Sequence, residues 1–296
     1  IEREFVTQRR AMNTTPSNIR IVTDTTATLP PGFAAAHSIE VVSQVVLFGL
    51  ESFKEEVNLS FPEFIRRLKA SPQLPKTSAP EPGDMIEAYR RQLAAAPTVL
   101  SIHPSSEISG TIRSAMTAKA EGFPTADIRI IDTRTVAGNL ASMVIAATEW
   151  AESGVGADEI VSRLNALIPR ARTYFLVATL EYLQKGGRIG GASALIGSVL
   201  QIKPILELKD GRVEALEKVR SHRAALARLK ELVVEQCPRS PDARLSVMHA
   251  DDLEAAQSLA ADLKSALGVD EIPIYNLGAA ITTNAGPGTL AVGFFA

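Results

Sequence analysis

The stretch Val99-Leu100-Ser101-Ile102-His103-Pro104-Ser105-Ser106-Glu107-Ile108-Ser109-Gly110-Thr111 constrains this chain more than any other. An apolar run enters a loop of hydroxyl side chains and then a segment of helical character, the order of a buried strand feeding a helix. At such a junction the unpaired backbone N–H groups and the positive end of the helix dipole point at whatever sits there. Serine and threonine add donors without adding charge. The junction therefore reads as a cradle for an acidic group, and taken alone it suits a phosphate as well as a carboxylate.

The same order recurs along the first half. Ile19–Asp24 reads as a strand that stops at Asp24-Thr25-Thr26, with Leu29-Pro30-Pro31 opening a short helix. Residues 39–48 read as one apolar strand, and Asn58-Leu59-Ser60 caps a helix over 61–70. Residues 71–78, with Pro72 and Pro75, read as a loop that delivers Lys76-Thr77-Ser78 to a helix over 82–96. Beyond the strand at 99–103, the pattern predicts helices over 107–120, 138–153 and 157–168 and a strand over 127–132. Strands alternating with helices imply a parallel sheet covered on both faces.

The second half opens with a strand over 173–178 and the glycine-dense Gly186-Gly187-Arg188-Ile189-Gly190-Gly191. An apolar helix is expected over 194–200. Asp210-Gly211 between the β-rich runs 203–208 and 212–216 predicts a hairpin, hence antiparallel pairing in this half. Helices over 221–236 and 252–267, strands over 244–249 and 271–276, and the apolar end 290–295 complete it. The expected organisation is α/β: a disordered extension over 1–18, an N-terminal domain over 19–168 with a parallel sheet, and a C-terminal domain over 169–296 with a mixed sheet.

Composition excludes several functions. Lys and Arg number 31 against 33 Asp and Glu, so no global basic field exists to attract nucleic acid or an anionic membrane. Cys237 is the single cysteine, which rules out an internal disulfide and points to a reducing, cytoplasmic setting. No run of 18 apolar residues is present, so neither a membrane anchor nor a signal peptide is expected. The four histidines, His37, His103, His222 and His249, lack metal-ligand spacing, and Gly-x-Ser-x-Gly is absent. No catalytic group and no metal site are expected.

What remains is a set of hydroxyl loops, at Thr25-Thr26, Thr77-Ser78, Ser105-Ser106 with Ser109, and Thr133, which an open α/β sheet would gather at one crevice. Each of them would also serve as an ordinary helix cap. The glycine run is neither a dinucleotide fingerprint nor a P-loop; it reads as a flexible turn, or as a loop whose Arg188 meets an anion or a partner. Residues 195–206 are apolar enough to line a cavity or to fill a core. Neutral donors beside apolar walls suit a small acidic head with a long hydrocarbon tail, which describes a fatty acid. The rival reading is an enzyme acting on a small phosphorylated or carboxylated metabolite.

From residue 19 onward the chain resembles the DegV family of bacterial fatty-acid-binding proteins, which includes the acyl-carrying subunits of fatty acid kinase. The resemblance rests on Ile21-Val22-Thr23-Asp24-Thr25-Thr26, Lys76-Thr77-Ser78-Ala79-Pro80, Ser105-Ser106-Glu107-Ile108-Ser109-Gly110-Thr111, Gly186-Gly187-Arg188-Ile189, Ile202-Lys203-Pro204-Ile205, Lys218-Val219-Arg220 and Gly286-Pro287-Gly288, in that order. It implies two α/β domains with a ligand tunnel between them, a long-chain fatty acid as the bound ligand, and no cofactor beyond it. It implies carboxylate binding by Thr77, beside Ser78, and by the Ser105–Ser109 loop, with either Ser106 or Ser109 as the direct donor. Arg188 and Arg220 would engage a partner, a separate ATP-dependent fatty acid kinase. Asn284 stands where family members carry a histidine; it keeps hydrogen-bonding capacity but cannot carry a charge.

Overall fold

The computed structural model describes residues 18–196 and 203–296. The expected extension over 1–18, apart from Asn18, and most of the expected helix over 194–200 lie outside those residues. In chain order the first half forms β1 (Ile19–Asp24), α1 (Phe33–Ala36), β2 (Glu40–Val42), β3 (Val45–Phe48), β4 (Glu51–Lys54), α2 (Phe61–Ala70), β5 (Lys76–Ser78), α3 (Pro82–Leu93), β6 (Thr98–His103), α4 (Thr111–Gly122), β7 (Asp127–Asp132), α5 (Ala137–Glu152) and α6 (Ala157–Leu167). The second half forms β8 (Ala171–Leu176), α7 (Glu181–Lys185), β9 (Lys203–Lys209), β10 (Arg212–Val219), α8 (His222–Gln236), β11 (Ser246–His249), α9 (Leu253–Leu267), β12 (Ile274–Asn276), α10 (Gly278–Ala285) and β13 (Leu290–Phe295).

The first sheet has four strands in the order β2-β1-β6-β7, all parallel. Both its faces are buried, which is why its strands read as apolar runs rather than alternating ones. Met85, Tyr89 and Ala115 of α3 and α4 pack against Val22, Val99 and Ile128 on one face. Leu140, Met143 and Leu164 of α5 and α6 pack against Ile21, Leu100 and Ile131 on the other. The second sheet has six strands in the order β10-β9-β8-β13-β11-β12, antiparallel except for the β11–β12 pair. One of its faces is covered by α8 and α9 through Leu229, Val233, Leu259 and Leu263.

Helix α5 ties the two sheets together and is buried almost all round. It passes so close to β11 that a Cβ on Gly138 would lie 2.5 Å from Ser246 Oγ and 2.9 Å from Met248 Sδ. Phe295, at the end of β13, is fully buried in the core beneath the first sheet.

Four expectations change. The single strand over 39–48 is two strands in different sheets: β2 pairs with β1, whereas β3 joins β4 and β5 in a three-stranded antiparallel sheet. The break falls where Gln44 turns into the protein, its N–H donating to Thr25 Oγ1 at 3.1 Å and its side chain reaching Asp24. The end of the expected loop over 71–78 is β5, held by pairing with β3. The helix expected from residue 107 starts at Thr111, because Ser105 closes its own turn, its carbonyl accepting from the N–H groups of Ile108 and Ser109. Of the expected helix over 194–200, Ala194 and Leu195 belong to a 3-10 turn over Gly190–Leu195 that ends at an extended Ile196, and residues 197–200 lie outside the described residues.

Candidate functional site

A cavity lies between the loops at the carboxyl ends of β1 and β6 and one face of the six-stranded sheet. This is the crevice in which an open parallel sheet places its ligands. The sheet contributes Phe175, Leu208, Val213, Met248 and Ala291, and α10 contributes Ala280, Ile281 and Ala285. Pro104, Ile108, Ser109 and Gly110 come from the loop after β6, and Thr26 from the turn after β1. The walls are mainly hydrocarbon, with a small number of polar groups among them, as a ligand pocket requires.

Thr77, Arg188 and Asn284 also line a second, more polar cleft of about 1180 Å³, formed with Lys76, Tyr182 and Lys185. These three side chains therefore stand on the border between an apolar and a polar space. Asn284 donates from Nδ2 to Thr77 Oγ1 at 3.2 Å and to Ala280 O at 3.0 Å. Arg188 donates to Ile108 O at 3.1 Å and Gly186 O at 2.6 Å, which joins its glycine-rich loop to the Ser109 loop. Ser109 Oγ lies 2.7 Å from Thr111 Oγ1 and accepts from the Thr111 N–H at 3.2 Å.

The sequence-predicted residues thus separate into two groups. Thr77, Ser109, Asn284 and Arg188 come together at the cavity, whereas Ser78, Ser105, Ser106 and Arg220 are not among its lining residues. Ser105 is fully buried and donates to Gly211 O at 2.9 Å, so it seats the tip of the β9–β10 hairpin on the first sheet. Asp210 and Gly211 at that tip both have positive φ, as the Asp-Gly signal requires, and a Cβ on Gly211 would lie 2.2 Å from Ser105 Oγ. Ser106 is exposed and donates to Asp132 at 2.6 Å. Ser78 donates to Ala79 O at 3.2 Å, and Arg220 is exposed just beyond β10.

Sequence reasoning missed a buried polar system that reaches the cavity wall at Thr26 and Gln44. Asp24, 0% exposed, accepts from Thr26 N–H at 3.1 Å, Thr26 Oγ1 at 2.5 Å and Gln44 Nε2 at 3.0 Å, and lies 2.8 Å from His103 Nδ1. His103 continues through Ser101 at 2.7 Å to Tyr89 at 2.8 Å. Tyr89 is fully buried, and burial pushes its phenol up to about 12. On the other side of the turn, Glu55 accepts from Thr25 Oγ1 at 2.5 Å and from the backbone N–H groups of Ala279 and Ala280 at the start of α10. Burial is the main cause that raises its carboxyl to about 7. The available signal was Gln44, a polar residue in the middle of an apolar run; Glu55, beside Glu56, carries no such mark.

Among the described residues no group of three or more His, Cys, Asp or Glu side chains is placed to hold a metal ion. Among them, too, no helix is long and apolar enough to cross a membrane.

Comparison with known proteins covers the whole described chain. The family model for the DegV family matches residues 18–296. A DegV domain-containing protein of Halalkalibacterium halodurans is 36% identical over 282 residues, covering 94% of this chain and 99% of its own. The DegV protein of Bacillus subtilis is 32% identical over 278 residues, covering 93% and 98%. Among solved structures, a fatty-acid-binding DegV family protein from Thermus thermophilus superposes with a TM-score of 0.87 at 33% identity, covering 94% of this chain and 99% of its own. The structure of DegV from Bacillus subtilis, a fatty-acid-binding protein, gives a TM-score of 0.83 at 31% identity, covering 95% and 100%.

Proposed function

The chain belongs to the DegV family, and from that premise we propose that it binds a long-chain free fatty acid, with the hydrocarbon tail in the apolar cavity and the carboxylate at the border with the polar cleft. The observation that carries this reading is the position of Thr77, Asn284 and Arg188, which line both spaces at once. Thr77 Oγ1 already accepts from Asn284, so its own proton is left to donate to a ligand. Ser109 supplies a second hydroxyl from the opposite loop. Arg188 lines the same border with a fixed positive charge, which accommodates asparagine in place of an imidazole at position 284. A small phosphorylated metabolite would leave the walls formed by Phe175, Leu208, Val213 and Met248 without a partner.

The reading extends to the partner. A carboxylate at the rim of an open polar cleft is accessible to a second protein, and Lys76, Lys185 and the exposed Arg220 offer charge for one to engage. The protein would then solubilise the acid and present it to a separate ATP-dependent fatty acid kinase in the cytoplasm, where acyl phosphate forms. No catalytic residue and no cofactor of its own enter this scheme.

Native mass spectrometry of the purified chain should show a co-purified fatty acid, and a chain that is empty and takes up none would overturn the proposal. Thr77→Val with Asn284→Leu should weaken fatty-acid binding by about 1–3 kcal/mol, the cost of removing donors to a charged acceptor. Unchanged affinity in that variant would move the head group elsewhere.

A further inference from the structure

Ser109 stands at the end of a continuous line of hydrogen-bonded side chains that begins deep in the core. From Tyr89 the line passes through Ser101 and His103 to Asp24, in steps of 2.8, 2.7 and 2.8 Å. From Asp24 it runs through Gln44 Nε2 at 3.0 Å to Thr111 Oγ1 at 2.9 Å, and on to Ser109 Oγ at 2.7 Å. Every member before Ser109 is buried; Gln44 and Ser109 both line the cavity, and Ser109 is the one with a hydroxyl to offer.

The chemistry of the members sets the direction of each bond. Four donors converge on Asp24: the Thr26 N–H, the Thr26 hydroxyl, Gln44 and His103. A carboxyl group so surrounded acts as an acceptor throughout. Gln44 must therefore turn its NH2, not its oxygen, toward Asp24, and the second proton of that nitrogen goes to Thr111 Oγ1. The Thr111 oxygen accepts there, and donating to Ser109 Oγ satisfies its own buried proton, which the reverse bond would leave without an acceptor. Ser109 Oγ now accepts twice, from the Thr111 hydroxyl and from the Thr111 N–H at 3.2 Å. Its remaining proton points away from Thr111, on the side open to the cavity.

We infer that Gln44 and Thr111 are positioning residues that hold the Ser109 hydroxyl as a one-way donor, and thereby make the head-group site selective for an ionised carboxylate over a neutral head on the same chain. The inference rests on the fatty-acid reading above. A hydrogen bond to a carboxylate is roughly twice as strong as one between neutral groups, so fixing the donor favours the acid most. A hydroxyl free to turn would serve an alcohol, which both donates and accepts, equally well.

The test compares palmitate with hexadecanol by displacement of a fluorescent fatty acid from the delipidated full chain. In Thr111→Val the preference for palmitate over hexadecanol should fall about tenfold, with the loss confined to palmitate. Thr111→Ser, which restores the hydroxyl, should recover the wild-type ratio. An unchanged ratio in Thr111→Val, or an equal loss for both ligands, overturns the inference, since a residue that merely packs would affect both alike. If Thr111→Val does not fold, Thr111→Ala is read in its place, with the same two outcomes deciding. A wild-type chain that takes up neither ligand removes the fatty-acid reading itself, and the inference with it, which sets that failure apart.

Discussion

Two buried carboxyl groups flank the Asp24-Thr25-Thr26 turn, and the protein treats them differently. Asp24 is 0% exposed and Glu55 3%, so both have lost their water. Asp24 is met by four donors, one of them an imidazole that continues into a hydrogen-bonded chain. Glu55 has a hydroxyl and two backbone N–H groups, and the like charge of Glu56 adds to the rise. Burial therefore outweighs its hydrogen bonds and raises its carboxyl to about 7. The comparison teaches that two buried acids can serve different ends: one side of the turn carries the hub of a side-chain network, and the other pins α10, with its Asn284, by a carboxyl that burial raises.

The sharpest way to break the comparison is to delete the hub. Asp24→Ala leaves His103, Gln44 and Thr26 without their acceptor in the core, and should cost about 3–5 kcal/mol in urea unfolding. A loss under about 1 kcal/mol would mean that the network does not anchor the turn.

The other side is tested by pH. The folded chain keeps the Glu55 proton up to about pH 7, whereas the unfolded chain releases it near the ordinary glutamate value of 4.5. Between those values the folded state binds more protons, so stability falls as pH rises, by up to about 3 kcal/mol, and the full cost persists above pH 7. Glu55→Gln keeps an oxygen for Ala279 and Ala280 and has no charge to bury. Its stability relative to wild type should therefore increase across that window; parallel pH profiles would assign the raised carboxyl to another group.

The smallest effect lies at the far end of the chain. Tyr89→Phe removes one neutral bond, to Ser101, and should cost about 1 kcal/mol, with the Asp24 side of the network left intact. A cost as large as that of Asp24→Ala would show that the whole line stands or falls as a unit.

The local signals were read most securely where one element answers to its own residues. Ser60, Ser221 and Asp252 cap their helices through the side-chain bonds that their residue types suggest. Asp210-Gly211 makes its hairpin. The failures occur where a distant segment decides. Residues 39–48 contain no turn signal, yet they split between two sheets because Gln44 is drawn to Asp24 and Thr111. The two adjacent serines of the cradle looked like ligand donors, and both are used up within the protein, Ser105 by a hairpin 106 residues away and Ser106 by Asp132.

The amino-acid sequence by itself determined the alternation of strand and helix, the parallel first sheet, the antiparallel pairing in the second half and the family. The structural features follow from periodicity, capping residues and turn chemistry, which act over a few residues, and the family follows from the order of its motifs. Only the tertiary structure decided which hydroxyls of the 99–111 stretch face the cavity. That choice depends on what each oxygen meets across the fold, and a serine that donates its proton inside the protein has none left for a ligand.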